Sequence, residues 1–487
     1  MNEILFLILG YVSFIAFTCG IMLLGALAEK KIKSDKTICR KLVHIISSLL
    51  WIICWFFFGC SIHWVILNAV GALTLGIITF SGKMKNFYGE DVKQSYGVFY
   101  FSLSTFIVAL ICFIIGGEVY LYTGIAYYCL ALGDGFAPIT AKLLKKHNPE
   151  IMPGKSLFGS LTVFVVSFLS TLIFSLAFNM QLDLLFIFSI AALTCIMEFY
   201  GTKGIDNILI EFAVFGYLLL YHFGYVTEIV EIVVLVSPFV AGLAIGFKSL
   251  SVSGGIFGMI LFYLVAFFGE GIVPVLFISI LFAVTTVISL VTNRIMAKKN
   301  HVNSAKRGRS GKQLFAVGFA AITCLIIYYF TKVELFYMLY FLALTEQFAD
   351  TMASDIGRLT NGKNIDIIKF KPIEKGLSGG ISLLGTSCSL IASVVLLIFP
   401  LLLKVIDVRV FLLAAAIAFV GTLIDSILGS LFQALYECTV CGVKTENKIH
   451  CETSAKLIKG FGCVGNTTVN LITSFATCSV GCLLLLL

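Results

Sequence analysis

The chain has 487 residues, of which 59% are hydrophobic and only 12% charged. That balance excludes a soluble domain, and nothing in the placement of the basic residues calls for a nucleic-acid partner. The net charge of +8 informs through its position along the chain rather than its sum.

Apolar runs of about 15 to 27 residues recur from one end to the other, so the predicted fold class is all-α, a polytopic integral membrane protein. Alternating segments that would mark an outer-membrane barrel are absent. The first run, Ile4 to Leu27, is too long for a signal-peptide core and has no basic n-region, so a retained helix is expected. Basic clusters follow at Lys30–Lys41, Lys83–Lys93, Lys142–Lys155, Lys203, Lys248, Lys298–Lys312, Arg358–Lys375 and Lys444–Lys459. Neutral, acidic or mixed connections alternate with them, so the positive-inside rule puts the basic loops in the cytoplasm. About 16 passes, with the N-terminus outside, keep that alternation throughout. Most of the fifteen cysteines lie singly in apolar runs, as small hydrophobes rather than a disulfide framework.

Polar residues of the first half gather near the cytoplasmic ends of predicted helices. Arg40, Lys41 and His44 come first, with Arg40 and His44 four apart on one helix face. "ALGDGFAPITAKLL" then sets Asp134 between Gly133 and Gly135 in an apolar stretch with no basic neighbour. A carboxylate at membrane depth costs a few kcal/mol, so Asp134 reads as a site residue whose partner lies elsewhere in the chain or on a ligand. Pro138 removes the helical bond to its carbonyl, and the glycines admit a phosphate or metal to the backbone. "GKSLFGS" supplies Lys155, Ser156, Gly159 and Ser160, without Walker A spacing. Glu198, Asp206 and Asn207 close the set. Carboxylates for Mg²⁺, cations and a Gly/Ser turn at a helix start are the parts of a phosphoryl-transfer site. Taken singly, His44, Lys155, Glu198 and Asp206 also suit structural or helix-end roles.

At an offset of 216 residues, "KQSYGVFYFSLSTFIVAL" overlies "RSGKQLFAVGFAAITCLI" and Asp134 overlies Asp350. "GKSLFGSLTVFVVSFLSTLI" then resembles "KGLSGGISLLGTSCSLIASVVLL", and "GIDN" resembles "LIDS". Order and near-constant spacing indicate two parallel repeat domains, 1–226 and 227–487. The second half carries Glu346, Asp350 and Asp355 on one apolar helix, then Lys375 with Ser378, Gly379 and Gly380. Asp425, Gln433, Asn466 and Asn470 follow, the last two also suited to bonding neighbouring helices. "YECTVCGVKTENKIHC" places Cys438, Cys441, His450 and Cys451 on one loop, a donor set that suits tetrahedral zinc, with free thiols as the alternative. The adjacent His450–Cys451 pair is unusual for ligand geometry.

As an ordered set from Arg40 to Asn207, "RKLVH", "LGDGFAPITAK", "GKSLFGS" and "E…GIDN" resemble the CTP-dependent polyprenol kinase family, which includes phytol and dolichol kinases. From about Lys248 onward, "DTMASDIG" and "SGGISLLG" resemble the DUF92 family, which includes a plant phytyl-phosphate kinase. The resemblances imply two steps, phosphorylation of an isoprenoid alcohol by CTP and then of the monophosphate. They imply Asp134 and Asp206 on Mg²⁺–CTP, Lys155 and Ser156 on phosphate, and His44 near Arg40 as a base. In the second half they imply Asp350, Asp355 and Asp425 on metal, with Lys375 and the Ser378–Gly380 turn on phosphate. A membrane cytidylyltransferase and a parallel-repeat transporter are the alternatives; the latter would favour sites at the midplane.

Overall fold

The computed structural model describes residues 3–31, 36–81, 92–145, 148–152, 154–201, 204–300, 308–359, 364–373 and 377–485. It is 77% helical, and among the described residues eleven helices are long and apolar enough to cross a membrane. The reason is the solvent: hydrocarbon offers backbone N–H and C=O groups no partner, so each segment must satisfy its own. Helix α1 (Glu3–Lys31) leaves Ile4, Ile8, Val12 and Ile15 exposed in a stripe at helical spacing, as a lipid-facing surface requires.

The chain forms two compact units, Met1–Leu235 and Val236–Leu487, against an expected boundary at 226/227. Unit 1 continues with α2 (Lys36–Ser47), α3 (Leu49–Phe58), α4 (Ile62–Phe80), α5 (Val92–Ile115) and α6 (Val119–Tyr128). A π-helical turn, Cys129–Asp134, runs into α7 (Gly135–Leu143). Pro138 sits in α7 without an N–H for the Asp134 carbonyl, and the helix is widened in the turn that ends at Asp134. A small ribbon, β1 (Glu150–Met152) with β2 (Lys155–Ser156), leads to α8 (Leu157–Ala177), α9 (Leu184–Tyr200) and α10 (Asp206–His222). The unit boundary falls within α11 (Glu228–Gly246).

Unit 2 contains α12 (Val252–Phe268), α13 (Ile272–Asn300), α14 (Gly311–Thr331) and α15 (Glu334–Gly357). Strand β3 (Asn364–Asp366) pairs with both β4 (Pro372–Ile373) and β5 (Gly380–Ile381). Helices α16 (Leu383–Leu402) and α17 (Val408–Phe432) follow. A run of short strands precedes α18 (Asn466–Leu485): β6 (Leu435–Glu437), β7 (Lys444–Thr445), β8 (Ile449–His450), β9 (Thr453–Ser454) and β10 (Lys456–Lys459).

The ribbon-to-helix junctions of the two units are built alike. Ser156 caps α8 by accepting the Gly159 N–H at 3.4 Å, and Ser382 caps α16 by accepting the Gly385 N–H at 3.1 Å. The partner of Ser156 in chemistry is therefore Ser382, not Ser378. The expected match of "GIDN" to "LIDS" also falls on unlike positions. Asp206 opens α10, whereas Asp425 lies deep in α17. Helices α9, which carries Glu198, and α17 are each the second helix after the ribbon of their unit. Helix α17 has 25 residues against 17 in α9, so a constant offset drifts out of register there.

Candidate functional site

The partner of Asp134 comes from 93 residues earlier in the chain. Lys41 donates its ammonium to Asp134 Oδ2, and His44 Nε2, one turn along α2, lies 3.9 Å from the same oxygen. The carboxylate is only 4% exposed. Beside it, Lys155 on β2 pairs with Glu198 at the end of α9, Nζ to Oε1 2.5 Å. Asp206, first residue of α10, is within electrostatic reach of Asp134, Lys41 and Lys155. Helix and ribbon ends from five elements thus converge on one charge cluster. Among the described residues its three carboxylates outnumber its two lysines, leaving negative charge there for His44 or a bound cation to offset.

Several residues expected to touch a ligand are engaged by the fold. A Cβ on Gly133 would stand 2.7 Å from Ser167 Oγ, and one on Gly135 would stand 2.5 Å from Ile45 Cγ1. These glycines admit neighbouring helices rather than a phosphate. The Ser156 hydroxyl caps α8 and accepts from Asn148 Nδ2 at 2.9 Å. Gly159 lets α8 approach Ala137 and Ala141 of α7, while the buried Ser160 hydroxyl has no hydrogen-bond partner. The side chain of Arg40 lies outside the described residues.

Asn207 ties α10 to α5, donating from Nδ2 to the Gly97 carbonyl at 2.7 Å. This crossing depends on Gly204, whose φ is +87° and whose added Cβ would stand 2.6 Å from Gly97 Cα. Gly204→Ala is therefore expected to destabilise unit 1 by about 2–3 kcal/mol. Thermal unfolding of the detergent-purified protein checks this; an unchanged midpoint would remove the close approach as a constraint.

In unit 2, Glu346 and Asp350 are one turn apart on α15 and share a face. Gln347 donates from Nε2 to Glu346 Oε2 at 2.8 Å and to the Asn470 carbonyl at 3.2 Å. Asp425 on α17 accepts from Thr473 Oγ1 of α18 at 3.2 Å. Asp350 interacts electrostatically with both Glu346 and Asp425. Among the described residues, no ion pair reaches any of these three carboxylates. Glu346 Oε1, Gln347 Oε1 and Asn470 Oδ1 are buried with no hydrogen-bond partner among the described residues. Such a set can hold a cation.

Asp355, expected on metal, has partners within the fold. Arg358 and the Ser289 hydroxyl both donate to it, and Arg309 stands behind Ser289 at 3.0 Å. Five residues past Asp350, it points about 140° around the helix and meets other partners, yet stays within electrostatic reach of Asp350. Lys375 lies outside the described residues. The Ser378 N–H donates to Glu446 Oε1 at 2.8 Å. Gly379, at φ +82°, packs so closely that a Cβ would stand 2.5 Å from Ser430 Cβ, and Gly380 pairs within β5. Gln433 ends α17 with both side-chain amide atoms buried and, among the described residues, without a hydrogen-bond partner. Asn466, at the start of α18, is exposed. The sulfur or nitrogen donors of Cys438, Cys441, His450 and Cys451 all lie within 4.8 Å of one another.

Some participants carried no distinguishing sequence signal. Gln347 and Thr473 read as ordinary helix-bonding polars, and Lys41 stands in the first polar set with no carboxylate assigned to it. Asp366 on β3 accepts from the Lys369 and Ile368 N–H groups, each at 3.0 Å, and from Ser430 Oγ at 2.9 Å. Burial raises its pKa, but these bonds and Lys459, 3.9 Å away, outweigh that and hold it below the usual carboxylate range.

The family model described as integral membrane protein DUF92 matches residues 235–478, half of the chain. The chain belongs to the DUF92 family. The match covers the Glu346/Asp350/Asp425 cluster and the cysteine loop. This DUF92 chain is also similar to an uncharacterized membrane protein of Methanocaldococcus jannaschii, 34% identical over 85 residues, covering 18% of this chain and 35% of that protein. It is 32% identical to Protein PGR of Arabidopsis thaliana over 145 residues, 26% of this chain and 49% of that protein. The matched segments thus span between about a third and about half of the length of these curated relatives. No solved structure matches the chain.

Proposed function

We propose that this DUF92 protein is a bifunctional, CTP-dependent isoprenoid phosphotransferase. Unit 1 phosphorylates a long-chain isoprenoid alcohol, and unit 2 phosphorylates the monophosphate to the diphosphate. The observation that carries the reading is the different countercharge of two buried carboxylate clusters, one in each unit. The first holds its own lysines. The second pairs Glu346, Asp350 and Asp425 only with neutral groups among the described residues.

In unit 1, Asp134 and Asp206 would hold Mg²⁺, which when bound offsets charge on the nucleotide phosphates. Lys41 and Lys155 then turn toward phosphate oxygens, and His44 takes the proton from the alcohol as its oxygen attacks the γ-phosphorus. CDP leaves, and the lipid monophosphate remains in the bilayer. In unit 2 the monophosphate oxygen attacks a second CTP, again releasing CDP. Glu346, Asp350 and Asp425 would hold the divalent ion there. Both sites would open toward the cytoplasm, where the nucleotide is.

The test is a proteoliposome assay with CTP labelled at the γ position, using phytol, geranylgeraniol and farnesol as acceptors. Labelled lipid monophosphate and diphosphate should form, CDP should accumulate, and EDTA should abolish both products. Release of pyrophosphate with transfer of CMP would replace this reading with a cytidylyltransferase.

A further inference from the structure

The ribbon between α17 and α18 lacks what ordinarily holds strands together. Strand β7 is the two-residue edge of a three-stranded sheet with β6 and β10, and β8 and β9 pair as a separate ribbon of two residues each. Ribbons that short are unstable by themselves. Tyr436 on β6 is buried, whereas the apolar side chains flanking the ribbon, Val440, Val443 and Ile449, are exposed. Something else must cross-link it.

Four soft donors meet at its centre. Cys441 Sγ lies 3.8 Å from Cys451 Sγ, and His450 Nδ1 lies 3.5 Å from Cys441 Sγ and 3.3 Å from Cys451 Sγ. A tetrahedron with bonds of about 2.3 Å to sulfur and 2.0–2.1 Å to nitrogen has edges of about 3.8 Å between sulfurs and about 3.6 Å from sulfur to nitrogen. These three spacings fall within about 0.3 Å of those edges, and Cys438 Sγ lies within 4.8 Å of the other donors. Cys438 enters from the turn after β6, where its backbone bonds twice across the knuckle: Cys438 N–H to Val443 O and Gly442 N–H to Cys438 O, each at 3.0 Å. The Val440 N–H also donates to Cys438 Sγ at 3.4 Å.

On spacing alone, the adjacent pair His450 and Cys451 argues against a metal. Successive residues of an extended strand point to opposite faces, so both could not reach one ion. Here Cys451 and Glu452 are left-handed, with φ of +49° and +60°. Neither is glycine, and a non-glycine residue is held there only when its surroundings require it. The turn swings the Cys451 thiol back beside the His450 ring.

We propose that Cys438, Cys441, His450 and Cys451 bind one zinc ion, which staples the ribbon and so fixes Glu446 on the turn at Ser378. Glu446 lies between β7 and β8, and it accepts the Ser378 N–H at 2.8 Å. It also interacts electrostatically with Asp425. The ion is structural, since four protein donors leave no open coordination position. The proposal does not depend on the reaction assigned to either unit.

Protein purified in detergent with reductant and without chelator should contain about one zinc per chain by elemental mass spectrometry. Cys441→Ser and His450→Ala should each lower that about tenfold or more, and Cys463→Ser should leave it unchanged. Cobalt exchanged into the wild-type protein should give the intense visible absorption of a tetrahedral thiolate site. Removing zinc should open trypsin cleavage at Lys444 and Lys448. Wild-type protein with less than about a tenth of a zinc per chain and no cobalt absorption would overturn the site. So would a Cys441–Cys451 disulfide in the freshly isolated protein. Bound zinc with unchanged cleavage after its removal would overturn the stapling role.

Discussion

Asp134→Asn should abolish phosphorylation of the isoprenoid alcohol while leaving conversion of added monophosphate intact. The expected fall is about a thousandfold in turnover, equivalent to about 4 kcal/mol of transition-state stabilisation. Asparagine keeps the shape and can still accept from Lys41, but it removes the charge that would hold Mg²⁺. The alternative is that Asp134 only anchors Lys41, since breaking one side of a buried pair is itself destabilising. Thermal stability of the double variant Lys41→Gln/Asp134→Asn tests the anchoring role, since Lys41 is itself placed on phosphate and its loss alone should lower activity. The double variant removes both charges, so it should recover thermal stability lost in the single variant without recovering activity. Recovery of alcohol phosphorylation in the double variant would make Asp134 structural. The unit 2 reaction in the same chain serves as the folding control.

Asp350→Asn is expected to act with the opposite sign on stability. Asp350 sits against Glu346 and Asp425, and among the described residues no ion pair offsets the three. Removing one charge relieves like-charge repulsion, so the metal-free protein should be stabilised by about 1–2 kcal/mol. Activity should fall at the same time. From alcohol and CTP the variant should accumulate monophosphate and form no diphosphate. The pairing of higher stability with lost second-step activity is what a destabilised functional site produces and a structural carboxylate does not. If the variant still converts added prenyl monophosphate to diphosphate, unit 2 is not the monophosphate kinase. Equal or lower stability in EDTA would instead show that Asp350 has a favourable partner in the folded chain.

The membrane fold could be read without coordinates because hydrocarbon leaves the backbone so few options. A long apolar run there must be a helix, whatever its tertiary neighbours. The buried carboxylates were visible for a related reason: a charge in an apolar run is expensive enough that chance does not explain it. Glu346 and Asp350 could be assigned to one face from their four-residue spacing, and the same arithmetic sets Asp355 about 140° from Asp350. The donor types of the cysteine loop were equally plain in the sequence.

Pairing was decided only by the tertiary structure. Lys41 and Asp134 are 93 residues apart, and a lysine in a basic loop carries no mark of the carboxylate it will meet. Gly133 and Gly135 flank a candidate ligand yet serve the approach of α8 and α2, because a missing side chain does not specify what fills its place. Asn207 binds a carbonyl on α5, and Asp355 is held by Arg358 and Ser289. The left-handed backbone at Cys451 brings two adjacent donors to one point, although their spacing argues against it. Composition and periodicity determine which segments enter the membrane and which faces are polar. Which polar groups then meet depends on helix rotation and packing, and those are settled only when all the helices close around them.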